Sequence, residues 1–274
     1  FTVVAKMLES SLKSGCPGLV GQLMSGEYIK MLSHIKCWHY LVGIILMSVI
    51  SGCDAGDEVG RLKLQDTFTE RTAALIKSVI NEDFDDANIL LQQGADINEI
   101  GEHGITPLLW VLVVTQDIAP LEYLLQNNAN PNYRGYMDGF SPMYLASGGN
   151  REDILKLFLK YGGDVNLEGI GEPGDTLRES MLMVAISNFK EENIRILLEH
   201  GADINWNADG SMGINNAPKA AIIMGRFDWA LNFLEKGYKG DLTDLAKSVA
   251  SIKVSEDGKA DKQKVIDYLK SKGI

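Results

Sequence analysis

The pentapeptide Gly94-Ala95-Asp96-Ile97-Asn98 decides the fold, because it recurs along the chain at a nearly constant interval. Successive copies of this pentapeptide, called anchors, begin 34, 34, 39, 36 and 36 residues apart. A period of this length is typical of solenoids, in which each unit buries its apolar face against its neighbours. The anchors therefore predict a stack of related units. The further copies, of which the last two are weaker, begin at Asn128, Gly162, Gly201, Gly237 and Gly273.

The residues before each anchor predict an amphipathic helix. Two positions, seven and four residues before the anchor, are apolar in all six units, and their i, i+3 spacing places them on one helix face. Glycine at the anchor suits a helix C-terminus, where the left-handed conformation does not strain it. In the last unit Lys270 replaces the leucine found three residues before the other anchors, which suits a terminal unit facing water. The apolar residues are Ala87, Leu90, Leu121, Leu124, Leu155, Phe158, Ile194, Leu197, Ala230, Phe233, Ile266 and Leu269.

A shorter helix precedes this one in each unit. Thr106-Pro107 and Ser141-Pro142 both combine a hydroxyl N-cap with proline at the first helical position. With these motifs the chain resembles ankyrin-repeat proteins, whose pattern runs G-x-TPLHxA, a second helix and then GADVN. The resemblance covers residues 67–274 and implies an all-α ankyrin-repeat solenoid of five to six helix-turn-helix units. The TPLH histidine, which links adjacent loops in that family, is replaced by Leu109, Tyr144, Met183 and Lys219, so another link is expected.

Residues 31–52 have the features of a bacterial lipoprotein signal peptide. The sequence starts with Phe rather than Met, and Met7, Met24 and Met31 are candidate starts. The signal features begin at Met31, so residues 1–30 are an expected non-native upstream extension if Met31 is the start. A weakly basic front around Lys36 leads into an apolar run over residues 41–50. That run is shorter than the roughly 17 to 25 residues of a membrane-spanning helix.

The signal ends in Ile50-Ser51-Gly52-Cys53, which resembles a lipobox. The resemblance implies cleavage before Cys53, lipidation of Cys53 and a polar tether over residues 53–66. The expected location is the bacterial cell envelope, on the periplasmic side, where Asp54 favours the inner membrane and the outer membrane stays an alternative. A buried N-terminal helix with an incidental cysteine is the competing interpretation.

The composition argues against several classes of function. The chain has 274 residues, 45% of them hydrophobic, and its 37 acidic and 26 basic residues give a net charge of −11. An acidic surface repels nucleic acid and anionic lipid headgroups. Four histidines, three cysteines and the lack of HExxH, CxxC or GxSxG motifs predict neither enzyme activity nor a metal or cofactor. The GxGxxG letters at residues 169–174 contain Glu172 and Pro173 and predict a long loop rather than a dinucleotide site.

The loops between units are the predicted binding surface. Family members bind proteins with the loop tips and the inner face of the first helices, and the tips here carry residue types that concentrate binding energy. Tyr133 and Trp206 packing under their own loops is the alternative for those two side chains. Binding by the convex face also stays open. The predicted contact residues are Ile100, His103, Tyr133, Arg134, Tyr136, Met137, Trp206 and Asn207 at the tips, and Asn150, Asn188 and Met224 on the first helices.

These features predict a non-enzymatic protein that is membrane-anchored through its lipid and binds another protein. The chain resembles immunity lipoproteins that sequester phospholipase-type effectors of type VI secretion. That resemblance implies a toxic effector as the partner, and the acidic charge implies a basic patch on it. Nucleic acid and small-molecule substrates are not expected. A periplasmic scaffold or adaptor is the first alternative, and a hydrolase with an unrecognised site is the second.

Overall fold

Side-chain caps start the first helix in four successive units. The hydroxyl of Thr106 accepts a hydrogen bond from Leu109 N at 3.3 Å, and Ser141 does the same for Tyr144 N at 3.0 Å. Ser180 and Asn216 cap the next two first helices in the same way, although the TPLH letters are lost there. All four capping residues are buried. The caps satisfy amide donors that a buried helix N-terminus would otherwise leave without partners.

The computed structural model describes residues 58–59, 62–135, 139–170, 178–207 and 216–274. The chain divides into two units, Phe1–Val49 and Ile50–Ile274, and all described residues lie in the second. The signal peptide, the upstream extension, Cys53 and Asp54 lie outside the described residues, as do Tyr136 and Met137. Their predicted roles stay predictions.

Six helix pairs follow one another within the described residues, and each pair is one unit. After a short helix α1, Leu64–Thr67, unit 1 contains α2, Glu70–Ile80, and α3, Phe84–Gln92. Units 2 and 3 contain α4, Pro107–Val114, with α5, Ile118–Gln126, and α6, Pro142–Gly148, with α7, Glu152–Lys160. Units 4 and 5 contain α8, Met181–Ser187, with α9, Glu191–Glu199, and α10, Ala217–Ile223, with α11, Phe227–Glu235. Unit 6 contains α12, Leu242–Ser251, and α13, Lys259–Ser271.

The core runs through this stack as one cluster of apolar side chains. Of the twelve apolar residues quoted above for the second helices, ten are buried, and the two that are only half-buried are Leu90 in unit 1 and Ile266 in unit 6. These two belong to the first and last described units, which have a described neighbour on one side only. Burying one leucine contributes about 1.5–3 kcal/mol. Because apolar side chains are also buried between neighbouring units, the stacking of units contributes to the stability of each unit.

The folded part begins before residue 67. Glu58–Val59 (β1) and Leu62–Lys63 (β2) form a short antiparallel pair, which α1 follows directly. Leu64 is fully buried, and the ring of Phe68 packs edge-on against Trp110 at 5.8 Å between centroids. The second half of the predicted tether over residues 53–66 is therefore part of the fold, because Leu64 joins the apolar core.

The long interval of 39 residues contains a β-hairpin. Glu168–Ile170 (β3) pairs antiparallel with Arg178–Ser180 (β4), with Glu168 opposite Ser180 and Ile170 opposite Arg178. The first glycine of the GxGxxG letters, Gly169, lies in β3, and the next described element of the chain is strand β4 rather than a helix. A dinucleotide fingerprint requires a strand that opens directly into a helix.

Candidate protein-binding surface

Asparagine side chains at the end of the first four anchors hold the loop tips in register. The amide nitrogen of the Asn98 side chain donates to Asn128 O at 2.9 Å, and its side-chain oxygen accepts from Asn130 N at 2.8 Å. Two residues earlier, the Asp96 carboxylate accepts from Asn98 N at 2.9 Å and fixes the turn. One asparagine thus binds a donor and an acceptor of the next unit.

The same bonds recur along the stack and form an asparagine ladder. Asn132 bonds to Gly162 O and Asp164 N at 2.9 and 2.8 Å, and Asn166 bonds to Gly201 O and Asp203 N at 3.3 and 2.8 Å. Asn205 continues the ladder by accepting from Lys239 N at 2.7 Å. This ladder links adjacent loops, as the TPLH histidine, absent here, does in the ankyrin family.

The loop before α4, the tip of unit 2, carries an apolar side chain that is largely exposed. Ile100 is 59% exposed, and the His103 side chain is 62% exposed with its backbone in the left-handed region at φ 56°. A Cβ at Gly104 would lie 2.0 Å from Gly135 O, so only glycine allows the tips of units 2 and 3 to touch there. This contact fixes the tip while Ile100 and His103 project to the solvent.

Glu99 ties the unit 2 tip to unit 1. Its carboxylate accepts from Thr69 N and from the Thr69 hydroxyl, both at 2.7 Å. Partial burial raises the pKa of Glu99, but hydrogen bonds from Thr72 and Thr69 outweigh it and hold the pKa below its ordinary value. The Glu99 carboxylate is therefore bound by Thr69 of unit 1, next to the exposed Ile100.

The structure joins Arg134 and Trp206 through strand β3. Arg134 is exposed, and its guanidinium donates to Glu168 O at 2.8 Å. The half-buried Trp206 donates its indole N–H to the Glu168 carboxylate at 2.8 Å. Asn207, the next residue, is exposed. Glu168 was not among the predicted site residues. The only available signal was its place in the long interval of 39 residues.

Tyr133 packs on its own loop. A Cβ added at Gly135 would come within 2.3 Å of the Tyr133 ring, so the ring lies directly over the Gly135 backbone, and Tyr133 is half-buried. Its aromatic face is partly used to hold the turn. Arg134, the next residue, is exposed beside it.

The three predicted first-helix residues lie at the turns between the helices of a pair. Asn188 follows α8 and donates its side-chain amide to Val184 O at 2.8 Å, and Met224 follows α10. Asn150 accepts a hydrogen bond from the Lys190 ammonium at 2.5 Å. A first helix of seven residues is about 10 Å long, so these turns lie at the other end of the helices from the tips. The structure therefore does not bring these three residues together with the tip residues.

A buried asparagine that the sequence patterns did not single out joins units 3 and 4. Asn193 is 3% exposed, and its side-chain nitrogen lies within hydrogen-bond distance of Ala146 O, Ser147 O and Gly149 O at 3.3, 2.9 and 3.1 Å. These carbonyls lie at the C-terminal end of helix α6, where the last turn leaves carbonyl groups without a following helical amide, and Ala146 O also accepts from Gly149 N at 3.3 Å. The available signal was a polar residue at a position that is Ile154 in the unit before.

The described residues offer no arrangement typical of metal or covalent chemistry. Within the described ranges, no three His, Cys, Asp or Glu side chains converge closely enough to hold a metal ion. His200 bonds through Nδ1 to Ile196 O at 2.8 Å, on the helix that it follows. None of the described helices combines the length and apolar character needed to cross a bilayer.

Comparison with known proteins agrees with the architecture. A family model described as ankyrin repeats (3 copies) matches residues 75–169 and 113–208. The fold is an ankyrin-repeat solenoid. A Fowlpox virus (strain NVSL) protein described as an ankyrin repeat protein is 27% identical over 96 residues, which cover 35% of this chain and 16% of the viral protein. The all-α ankyrin prediction is thereby confirmed, with six helix pairs in the described part of the chain. Ankyrin repeats imply a protein–protein interaction role, and Ile100, His103 and Arg134 are exposed at the tips of this solenoid.

Proposed function

We propose that this chain is a lipid-anchored, non-enzymatic protein of the bacterial cell envelope that binds and inhibits a toxic phospholipase-type secretion effector. The observation that carries the binding part is the tip of unit 2. Ile100 and His103 project there from a loop that is held from behind by Glu99 and by the contact between Gly104 and Gly135. A rigid tip loses little conformational entropy when a partner covers it, so its exposed side chains contribute fully to affinity.

The charge of the solenoid supports a basic partner. Residues 64–132, which form units 1 and 2, contain eleven acidic and two basic side chains. Residues 216–274, at the other end, contain eight acidic and eleven basic side chains. A basic partner would be steered towards units 1 and 2, and its association rate would fall as salt is added.

The proposed location rests on the lipobox resemblance of Ile50-Ser51-Gly52-Cys53. Lipidation makes Cys53 the residue on which membrane attachment depends. We expect Cys53→Ala to abolish incorporation of labelled palmitate and to move the protein from the membrane fraction to the soluble fraction. Cys37→Ala, which changes a cysteine before the cleavage point, should leave both readouts unchanged. Equal labelling of the two variants would contradict lipidation at Cys53.

The test of the inhibitory function is capture followed by inhibition. The full chain is immobilised and challenged with lysate of its own cells and with the products of adjacent genes. The expected result is one stoichiometric partner with a lipase activity that the chain blocks. Several weakly bound envelope proteins without such an activity would contradict this function and favour a scaffold or adaptor.

The binding site is tested in the same assay with Ile100→Asp combined with His103→Asp. Both side chains are exposed, so folding should be retained, and binding of the partner should weaken about tenfold or more. Ile274→Asp is the matched control, because Ile274 is also an exposed apolar residue, 45% accessible, at the other end of the solenoid. Unchanged affinity in the double variant would exclude the unit 2 tip as the site.

A further inference from the structure

Ile89 occupies a position that is buried in the three units that follow. Five residues before the anchor, units 2, 3 and 4 carry Tyr123, Leu157 and Ile196, which are 9%, 7% and 1% exposed. Ile89 has the same position in unit 1 and is 51% exposed. The difference follows from the stack, because no described unit precedes unit 1.

Tyr123 shows how this position is normally covered. Its ring stacks on Phe84 of the preceding unit at 4.7 Å between centroids, and its hydroxyl donates to the Asn88 side chain at 2.9 Å. The second helix of one unit thus lies against the second helix of the unit before. On α3 the equivalent residue, Ile89, is 51% exposed, with no described unit before it to cover it.

The two ends of the solenoid differ in character. In α13, the last helix, Lys270 stands where the other units have leucine and is exposed. In α3 only Ala87 is buried, whereas Leu90 and Leu91 are half-buried and Ile89 is exposed. The last described unit therefore presents a charged residue at this position, and the first unit retains apolar side chains on its second helix.

The charged residues that precede Ile89 in α3 and in the turn before it are negative. Asp85 and Asp86 precede Ile89 by four and three residues, so the three side chains share one face of α3. Glu82, in the turn before α3, is also exposed. Neither Glu82 nor Asp85 forms an ion pair with a described residue, and Asp86 accepts a hydrogen bond from the Ser78 hydroxyl at 2.5 Å.

We propose that this end face, formed by Glu82, Asp85, Asp86 and Ile89, docks an amphipathic helix of a partner protein with basic residues beside its apolar stripe. The apolar stripe covers Ile89 as a preceding unit would, and the basic residues pair with the carboxylates. A second copy of this chain is disfavoured as the occupant, since two identical end faces would bring like charges together. The inference rests on the protein-binding function and assigns it a second contact surface.

The first test uses the full chain and a synthetic helical peptide of leucine and lysine, with leucines on one face, as the probe. Binding is followed by fluorescence anisotropy of the labelled peptide. The expected result is saturable binding that weakens with added salt and that a scrambled peptide of the same composition does not reproduce. Equal binding of both peptides would mean non-specific attraction and would overturn the proposal.

The site is located with a pair of matched variants. Ile89→Ser combined with Asp85→Lys should weaken peptide binding about tenfold or more. Ile274→Ser combined with Asp257→Lys makes the same changes at exposed positions of the other end of the solenoid and should leave peptide binding unchanged. Equal losses in the two variants would overturn the assignment to α3. Circular dichroism of both variants checks that the helices are retained.

Two further measurements identify the occupant. In the free full chain, Ile89→Cys should be alkylated rapidly by a small maleimide, as read on its own peptide by mass spectrometry. Slow alkylation would show that another part of this chain covers Ile89 and would overturn the proposal. Sedimentation should give a monomer, and a dimer that Ile89→Ser dissociates would overturn it in favour of a second copy.

The captured effector separates this inference from the proposed function. If the unit 2 tip variants lose the effector and the α3 variant retains full affinity, the function stands and the end face is wrong. If no effector is captured but the peptide binds at α3, the end face stands and the immunity function is wrong.

Discussion

At the scale of single residues, the stacking of the first units depends on one asparagine at the end of each of the first four anchors. Asn98, Asn132 and Asn166 each bind a carbonyl oxygen and an amide of the following unit. The aspartate or asparagine two residues earlier fixes the turn that aims this side chain. A side chain with both a donor and an acceptor is required, which aspartate or alanine cannot provide.

We expect Asn132→Ala to lower the free energy of unfolding by about 1–2 kcal/mol, because two hydrogen bonds between units are lost. Urea denaturation followed by circular dichroism measures the change. Asn207→Ala is the control, since Asn207 is exposed and outside the ladder, and its free energy of unfolding should not change. Equal stability of Asn132→Ala and the unmodified protein would show that water replaces the ladder without loss.

At the scale of secondary-structure elements, polar side chains link helices that the apolar core alone would hold less specifically. Asn193 joins α9 to the C-terminus of α6. The second helices α7 and α11 begin with an Arg-x-Asp motif, in which Arg151 pairs with Asp153 and Arg226 with Asp228 through two hydrogen bonds each. Arg226 also stacks on the Trp229 ring at 3.5 Å.

Replacing Asn193 with leucine should destabilise the protein by about 2–3 kcal/mol. The leucine fits the apolar surroundings in size, but it leaves the carbonyls of Ser147 and Gly149 buried without this donor. Thermal unfolding measures the effect. Asn193→Asp should be at least as damaging, because it removes the donor and adds a negative charge beside carbonyl oxygens. A leucine variant as stable as the unmodified protein would show that the bonds contribute nothing net.

The Arg-x-Asp motif makes stability depend on pH in the acid range. Hydrogen bonds from Arg226 lower the pKa of Asp228, and burial only partly opposes them. A lowered pKa in the folded state gives stability that is present above the unfolded pKa of about 3.9 and is lost as the pH falls through the folded value.

We therefore expect Asp228→Asn to lower the Tm at pH 7. The difference in Tm between the variant and the unmodified protein should shrink as the pH falls below about 4, where Asp228 itself becomes protonated. The partly exposed pair limits the effect to about 1 kcal/mol or less. Asp257→Asn, at an exposed aspartate that pairs with no described residue, should leave the Tm unchanged throughout. A Tm difference for Asp228→Asn that is constant from pH 7 to 2 would contradict the charge effect.

At the scale of the whole molecule, stability is a sum over neighbouring units. Each unit of the solenoid packs mainly on the units beside it, so damage at an end should stay local, whereas damage in the middle should spread. Leu155 lies in unit 3 and Val265 in unit 6, and both are fully buried. The two positions allow an internal and a terminal cavity to be compared.

Leu155→Ala should lower the free energy of unfolding by about 2–5 kcal/mol and speed up amide hydrogen exchange on both sides of unit 3. Val265→Ala should raise exchange chiefly within residues 242–274, because the last unit can open without its neighbours. Hydrogen exchange read by mass spectrometry distinguishes the two patterns. Equal exchange changes along the whole chain in both variants would show that the solenoid unfolds as one cooperative block.

Parts of the candidate site could be predicted from the sequence and parts could not. Ile100, His103 and Arg134 were predicted because loop residues of these types are unusual without a partner, and the structure leaves them exposed. Glu168 was not predicted, because its bonds to Arg134 and Trp206 join residues that are 34 and 38 positions away. Asn188 and Met224 were assigned from the register of the first helix, which does not specify the direction in which a turn residue points.

The sequence by itself determined the repeated unit, its helices and its caps, because these depend on residues within a few positions of one another. The order of caps, apolar positions and anchors specifies where each helix begins and ends, and the period specifies that the units stack. Only the tertiary structure decided which residues meet across units. The asparagine ladder, the bonds of Asn193 and the exposure of Ile89 all depend on the neighbouring unit, and a unit's own sequence does not state what lies beside it.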